Sequence, residues 1–285
     1  MRFTTLLLGG IALAAATPAF AQDADTAPPK EVTVSGSVGL TNDYRFRGVS
    51  QSDENMAVQG GITIAHKSGV YIGTWGSNLA GWGTFGGANM ELDLIAGYKT
   101  PIGGGGAIDV GATWYMYPGG FDNTDFIEPY AKLSGTVGPV ALLAGVAYAP
   151  KQQALGPWYT NGTSAANGVY DRVNAKDDNL YLWGDVSSGI PNTGLTVKAH
   201  VGHSNGNKGL GPFATSVSPT GKYWDWLFGA DYVIPTTPLT LGVAYVDTDI
   251  SKRESAYLQP SFSRGQDGSG SIAGGKVLVS LTAAF

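Results

Sequence analysis

Cysteine and histidine, which carry much catalytic and metal chemistry, are scarce in this chain, so its charged side chains are the main candidates. The 285 residues include no cysteine and three histidines, His66, His200 and His203. Without thiols there is no disulfide framework, no cysteine nucleophile, no Cys-ligated metal and no lipid-modified cysteine. His200 and His203 fall on opposite faces of an extended segment, which keeps them from chelating one ion. His66 lies beside a short turn, where an interfacial or structural ring is the simpler reading. His203-Ser204 and His66-Lys67-Ser68 are the nearest approach to a hydrolytic pair, and neither has a readable third member. Gly103–Gly106 precedes a strand rather than a helix, so it is a turn and not a phosphate cradle. No cofactor and no metal site is expected. Nor is enzymatic activity, the enzymatic alternative being lipid processing through His203.

What remains is a set of charges spaced at period two. Asp43, Arg45, Arg47, Lys67, Glu91, Asp93, Lys99, Asp109, Glu128, Lys132, Asp185, Lys198 and Lys276 fall on the polar parity of alternating segments. A base facing lipid near mid-bilayer costs about 2–4 kcal/mol, so this many strand charges imply a wet interior. The residues expected to line it are Asp43, Arg45, Arg47, Gln59, Thr63, Asn78, Glu91, Asp93, Asp109, Glu128, Lys132, Asp185 and Lys198. Their signs are mixed with acids slightly ahead, which implies a weak cation preference at most. The alternative is a lumen sealed by salt bridges among the same groups.

The elements that would position these charges are strands. Val32 to Phe46 alternates apolar with Thr, Ser, Asp and Arg, so Tyr44 and Phe46 are expected in an outer aromatic belt with Arg45 and Arg47 inward. Met56–His66 and Val70–Asn78 read as a hairpin with a two-residue turn at Ser68-Gly69. That register puts Ile62, Ile64, Tyr71 and Trp75 on one face, with Gln59, Thr63, Lys67, Thr74 and Asn78 on the other. Further alternation at 90–99, 108–116, 127–133, 180–187, 195–203, 223–233, 239–247 and 276–285, with an all-apolar run at 140–149, gives about twelve strands of bilayer-crossing length. Connections alternate between short turns and long loops: 47–55, 79–88, 118–125, 150–178, 204–222 and 248–275 are the long ones. The fold class is therefore all-β, a transmembrane up-and-down antiparallel β-barrel with one trimmed rim. Loop 150–178 is long enough to fold inward as a constriction.

The ends agree. Arg2, the apolar run Leu6–Ala16 and Ala19-Phe20-Ala21 have the order of a cleavable secretory signal over 1–21. A polar lead follows at 22–30, and the barrel occupies 31–285. Glycine is abundant (43 residues), aromatics make up 11% and the net charge is −5. Mild acidity disfavours nucleic acid as a partner. The final strand, ending on Phe285, resembles the terminal strand of bacterial outer-membrane barrels. That resemblance implies recognition by the barrel-insertion machinery, and an environment of outer-membrane lipid and lipopolysaccharide.

Asp43-Tyr-Arg-Phe-Arg-Gly-Val-Ser-Gln-Ser52, Gln59-Gly-Gly61, the stretch His66 to Asn78, Glu91-Leu-Asp-Leu-Ile-Ala-Gly-Tyr98 and Tyr115-Met-Tyr-Pro118 resemble the proteobacterial TorF family of porins. The match covers about the first third and then fades into barrel pattern; Met56 and Ile95 depart from it without disturbing strand parity. The resemblance implies an outer-membrane barrel with a transport role and supplies no substrate. The leading expectation is passive diffusion of small hydrophilic solutes through a narrow channel. The alternative is a sealed barrel that binds a partner through loops carrying Trp82, Phe85, Trp158 and Tyr159.

Overall fold

The computed structural model describes residues 31–214 and 216–285; the signal segment 1–21 and the lead 22–30 lie outside them. Twelve antiparallel strands close into one barrel: β1 (Val32–Thr41), β4 (Ala57–His66), β5 (Val70–Asn78), β6 (Met90–Gly103), β7 (Gly106–Met116), β8 (Phe126–Val137), β9 (Val140–Gln152), β10 (Asp177–Gly189), β11 (Leu195–Lys208), β12 (Thr220–Val233), β13 (Leu239–Thr248) and β14 (Lys276–Ala284). Each strand pairs with its chain neighbours, and β1 pairs with β14 to close the ring. Closure leaves no unpaired sheet edge. The seam is completed at its end by reciprocal Gly36–Phe285 backbone hydrogen bonds of 2.9 and 3.0 Å.

Side-chain alternation sorts each strand into an oily outer face and a polar inner one. Val34, Val38 and Leu40 of β1, Leu94 of β6 and Val110 of β7 are exposed around the circumference, as are Leu133, Val201, Val243 and Val279. A continuous apolar band of this extent suits acyl chains and not water. Exposed rings group toward the two strand ends, Tyr98 and Tyr232 near the short turns, Trp114, Tyr148, Trp224 and Tyr245 near the long loops. That is the interfacial placement amphipathic rings prefer.

The β4–β5 hairpin departs from the expected register by one residue. Ala65 pairs with Tyr71, Ile64 with Ile72 and Ile62 with Thr74. The cause is a longer turn: Gly69 adopts a left-handed φ of 99° and its N–H closes on the His66 carbonyl, absorbing one more residue than a two-residue turn would. A single-residue slip exchanges the faces. Ile62 and Ile64 stay outside with Val70 and Ile72, whereas Tyr71 is buried in the lumen and Trp75 packs there against Tyr44.

The larger departure is at 42–56. β1 stops at Thr41, and the chain folds into the barrel mouth as a miniature hairpin, β2 (Arg45–Phe46) and β3 (Val49–Ser50), with Phe46 paired to Val49. Tyr44 and Phe46 therefore lie inside rather than in an outer belt. Arg47 (φ 48°) and Gly48 (φ 78°) form its tip, the two consecutive left-handed residues of a type I′ turn. Glycine is required at 48 because a Cβ there would run into Thr248 and Asp225 of the opposite wall.

The remaining long loops close over this hairpin. One cluster packs Tyr44, Leu79, Phe85, Tyr117, Phe126, Leu155 and Val217 together, with Phe46, Trp75 and Tyr115 against it. A second, further out, joins Val49, Trp82, Tyr159, Leu210, Leu258, Phe262 and Ile272. Segment 153–176, which holds α1 (Gly162–Ala166), joins this cap through Leu155, Trp158 and Tyr159. It is tied down by the Tyr159–Leu210 backbone pair and by the Tyr257 hydroxyl donating to the Thr160 carbonyl. Helices α2 (Lys252–Leu258) and α3 (Pro260–Arg264) belong to the same cap. The element that reaches across the lumen is thus the first loop, with 153–176 lying over it.

Candidate functional site in the barrel lumen

Inward parity on consecutive strands brings the charges together. Glu91 and Asp93 come from β6, Asp109 from β7, Glu128 and Lys132 from β8, Asp185 from β10, Lys198 and His200 from β11, and Asp225 and Asp231 from β12. Strand pairing fixes their neighbours: Asp109 opposes Lys132, Asp93 opposes Tyr115, and Asp185 opposes His200.

Toward the short-turn end the charges are compensated within the wall. Lys198 donates to both Asp231 oxygens at 2.8 and 2.7 Å. Lys132 lies 3.9 Å from Asp109 and stands 4.1 Å above the Tyr130 ring. The Tyr71 hydroxyl donates to Asp109 at 2.6 Å and also meets the Tyr130 hydroxyl. On the far wall His200 is held from both sides, Nδ1 at 2.6 Å from Asp185 and Nε2 2.9 Å from the Tyr181 hydroxyl and 3.2 Å from Asp225. Tyr181 and Trp183 stack on each other and lie flat over Gly202 and Gly145, where any side chain would collide with the rings.

Higher up, compensation comes from the loop. Arg47 Nη2 donates to both Glu128 oxygens at 2.7 and 2.6 Å. Its guanidinium carbon lies 4.1 Å from the Tyr181 ring centre and 4.7 Å from that of Phe46, the stacking geometry a planar cation favours. The Tyr115 hydroxyl adds a 3.4 Å contact to Glu128. Burial opposes the charge on Arg47, but Glu128 outweighs it and holds the guanidinium above its ordinary value. Asp43, Arg45 and Glu54 form a second group at the mouth. Arg45 Nε donates to Asp43 at 2.6 Å, Nη2 to Glu54 at 3.0 Å, and Nη1 to the Ile272 carbonyl at 2.7 Å, so the base of the hairpin is tied to the last loop. Lys276 reaches the other Glu54 oxygen at 3.1 Å.

Of the residues expected to line a pore, Gln59 and Thr63 face inward on β4, and Glu91, Asp93, Asp109, Glu128, Lys132, Asp185 and Lys198 face inward on their strands. Asp43, Arg45 and Arg47 sit in the hairpin rather than on the wall. Asn78 is a correction. It points outward on β5, accepting from the Val58 N–H at 2.7 Å and donating to the Met56 carbonyl, because the corrected hairpin register puts even positions of β5 outside. Trp82, Phe85, Trp158 and Tyr159 are likewise not available to an external partner, each being at most 5% exposed. Sequence reasoning did not single out Asp225 and Asp231, although Trp224, Trp226 and Phe228 on the alternate positions of β12 mark them as inward. It also left tyrosines 71, 115, 130 and 181 out of the expected lining; the hydroxyls of Tyr71, Tyr115 and Tyr181 meet acids, and that of Tyr130 meets Tyr71.

His203 and Ser204 are on opposite sides of the wall, His203 against Trp224 outside and Ser204 fully buried beside Asn179 inside. The adjacent pair does not assemble. Among the described residues no group of three or more His, Asp or Glu side chains is arranged to hold a metal ion.

Fold and site together define a closed transmembrane β-barrel with a charged lumen and an inward-folded first loop. The chain belongs to the Gcw_chp family, described as a bacterial protein of unknown function, which matches residues 23–285. No curated protein matches it. Among solved structures it is similar to the NanC porin, at 12% identity over 88% of this chain and 99% of that one, with a TM-score of 0.51. An outer-membrane channel from Pseudomonas putida F1 aligns at 10% identity over 92% and 100% of the two chains, with a TM-score of 0.43. The outer-membrane channel DcaP of Acinetobacter baumannii aligns at 11% over 89% and 97%, with a TM-score of 0.40. The likeness to NanC speaks to the fold alone, and the two lower scores carry no argument.

Proposed function

We propose that the chain is an outer-membrane channel for passive diffusion of small hydrophilic solutes, held shut by the 42–56 hairpin and opened when that hairpin withdraws. The observation that carries this reading is the division of the lumen. Its wall is charged from end to end, as a water-filled path requires, while its mouth is filled by the first loop, whose tip meets the wall in the Arg47–Glu128 ion pair. The apolar outer band supports an outer-membrane location, and the resemblance to the TorF family of porins supports transport. No bond is made or broken, and the gradient of the solute is the driving force.

A sealed barrel is the second reading, favoured by the two aromatic clusters that cap the mouth. Planar-bilayer recordings separate the two. Arg47→Ala, and a variant in which residues 44–50 are replaced by a short Gly-Ser linker, are expected to give discrete conductance steps. The wild-type protein is expected to open rarely. Absence of steps from the wild type and both variants across several salts would overturn the channel in favour of the sealed barrel.

A further inference from the structure

We propose that the lumen pocket now filled by Arg47 is a recognition site for small guanidinium-bearing cations, Arg47 acting as a tethered stand-in for the solute. This rests on the channel reading for its biological sense, while the pocket itself is defined by geometry. Its fixed parts belong to the wall: Glu128 from β8, Tyr115 from β7 and Tyr181 from β10. Glu128 offers both oxygens to one guanidinium nitrogen at 2.7 and 2.6 Å. Tyr181 provides a flat ring 4.1 Å from the guanidinium carbon. A buried carboxylate beside aromatic rings demands a cation, and a planar guanidinium matches it better than an ammonium. When the hairpin leaves, Glu128 keeps the Tyr115 hydroxyl, and the place is open to a free cation of the same shape.

A second, independent observation concerns what Arg47 leaves unused. Asp93, whose strand partner is Tyr115 on the same wall, is 6% exposed, and its Oδ1 has no hydrogen-bond partner. Arg47 Nη1 is also buried without a partner. A tethered arginine reaches Glu128 and stops. A free solute with a guanidinium head and a second positive end would satisfy Glu128 with the head and Asp93, next to Glu91, with the tail. The ligand class is therefore a guanidinium joined by a short apolar chain to an ammonium, which can donate to these acids as a carboxylate tail cannot.

The test is binding in detergent micelles, read by fluorescence from Trp183, which stacks on Tyr181, with Trp183→Phe as the reporter control. The probes are agmatine and 4-guanidinobutyrate, which share a head and differ in tail charge. Arg47→Ala is expected to bind agmatine at least about tenfold more tightly than the wild type, and adding Glu128→Gln should abolish that gain, as loss of a charged hydrogen-bond partner implies. 4-Guanidinobutyrate is expected to bind Arg47→Ala more weakly than agmatine. The linker variant at 44–50 repeats the test should Arg47→Ala not fold, folding being checked by heat-modifiable migration on gels. Equal binding by wild type and variant, indifference to Glu128→Gln, or no preference between the two probes would overturn the site. A variant that conducts in potassium chloride but ignores agmatine leaves the channel standing without this site. One that binds agmatine but never conducts keeps the site and overturns the channel.

Discussion

Arg47 and Glu128 meet inside the barrel at 2.6 and 2.7 Å, one on a loop tip and the other on β8, with neither side chain more than 4% exposed. The two partners are not equivalent. Glu128 is on a barrel strand, whereas Arg47 is carried at the tip of the first loop. Breaking a buried ion pair by removing one partner costs about 3–5 kcal/mol, because the survivor keeps its charge without compensation. On the channel reading the hairpin leaves and lets water in, so the cost is expected as loop opening rather than as barrel unfolding.

Glu128→Gln and Arg47→Ala are each expected to expose the hairpin while the barrel keeps its resistance to denaturation by detergent at room temperature. Hydrogen exchange of amides 44–50 is the measurement. Each single variant should lose protection there, and the double variant should lose much less than the sum of the two. Additive losses would show that the pair does not hold the loop.

The tip itself is strained, and this gives a second prediction. Arg47 occupies a left-handed conformation at φ 48°, which costs roughly 1–2 kcal/mol for a residue other than glycine, asparagine or aspartate. Arg47→Asn relieves the backbone but deletes the guanidinium. Gly48→Ala keeps the ion pair and introduces both a left-handed alanine and a collision with Thr248 and Asp225. If the ion pair outweighs the turn, Arg47→Asn opens the loop despite its better turn chemistry. Trypsin cleavage at Arg45, which is buried in the closed form, reports it, and Gly48→Ala should be cut as readily. A trypsin-resistant Arg47→Asn would mean that turn geometry, not charge, seats the hairpin.

These relationships were only partly readable beforehand, for physical reasons. β6, β7 and β8 were legible because their apolar and charged positions contrast at every step, as in Met90-Glu-Leu-Asp-Leu94. β9 was opaque because it is nearly all apolar. Its faces differ mostly in size, with Gly145, Ala147 and Ala149 inside beside the larger Leu143, and Leu142, Val146 and Tyr148 outside. The 43–50 segment misled because Tyr-Arg-Phe-Arg alternates like a strand, and Arg-Gly lacks the Asn-Gly signature of a type I′ turn. Tyr71 and Trp75 misled for a different reason: a ring with a hydroxyl aimed at Asp109 behaves as a lumen residue, whereas a hydropathy pattern counts it as oily.

The corrected register of β4 and β5 yields a third prediction. Ile62 faces lipid and Thr63 faces the lumen, beside Gly73 and Ser35. Ile62→Lys should destabilise the folded barrel by about 2–4 kcal/mol, the cost of a base near mid-bilayer, whereas Thr63→Lys should be nearly neutral because the inner face is rich in acids that can pair with a base. Urea unfolding in lipid vesicles checks the pair. Equal losses would mean that the hairpin faces are assigned wrongly.

The outer cap should loosen in acid while the barrel does not. Hydrogen bonds from Ser164 and from the Thr160 N–H and hydroxyl hold Asp171 below the ordinary carboxylate range. The Ser251 N–H and hydroxyl do the same for Glu254 in the capping box of α2. A depressed carboxylate gives its full stabilisation above the unfolded pKa, about 4 for these groups, and loses it as pH falls through the folded value. Protection of the Thr160 and Ser251 amides, corrected for intrinsic exchange rates, should therefore hold at pH 6 and fall toward pH 3. The barrel amides of β6 to β8 should stay protected over the same range, because their hydrogen bonds are between backbone groups in a closed sheet. Asp171→Asn with Glu254→Gln should flatten the pH response of the cap, and a response that persists in that variant would assign the acid sensitivity to some other group.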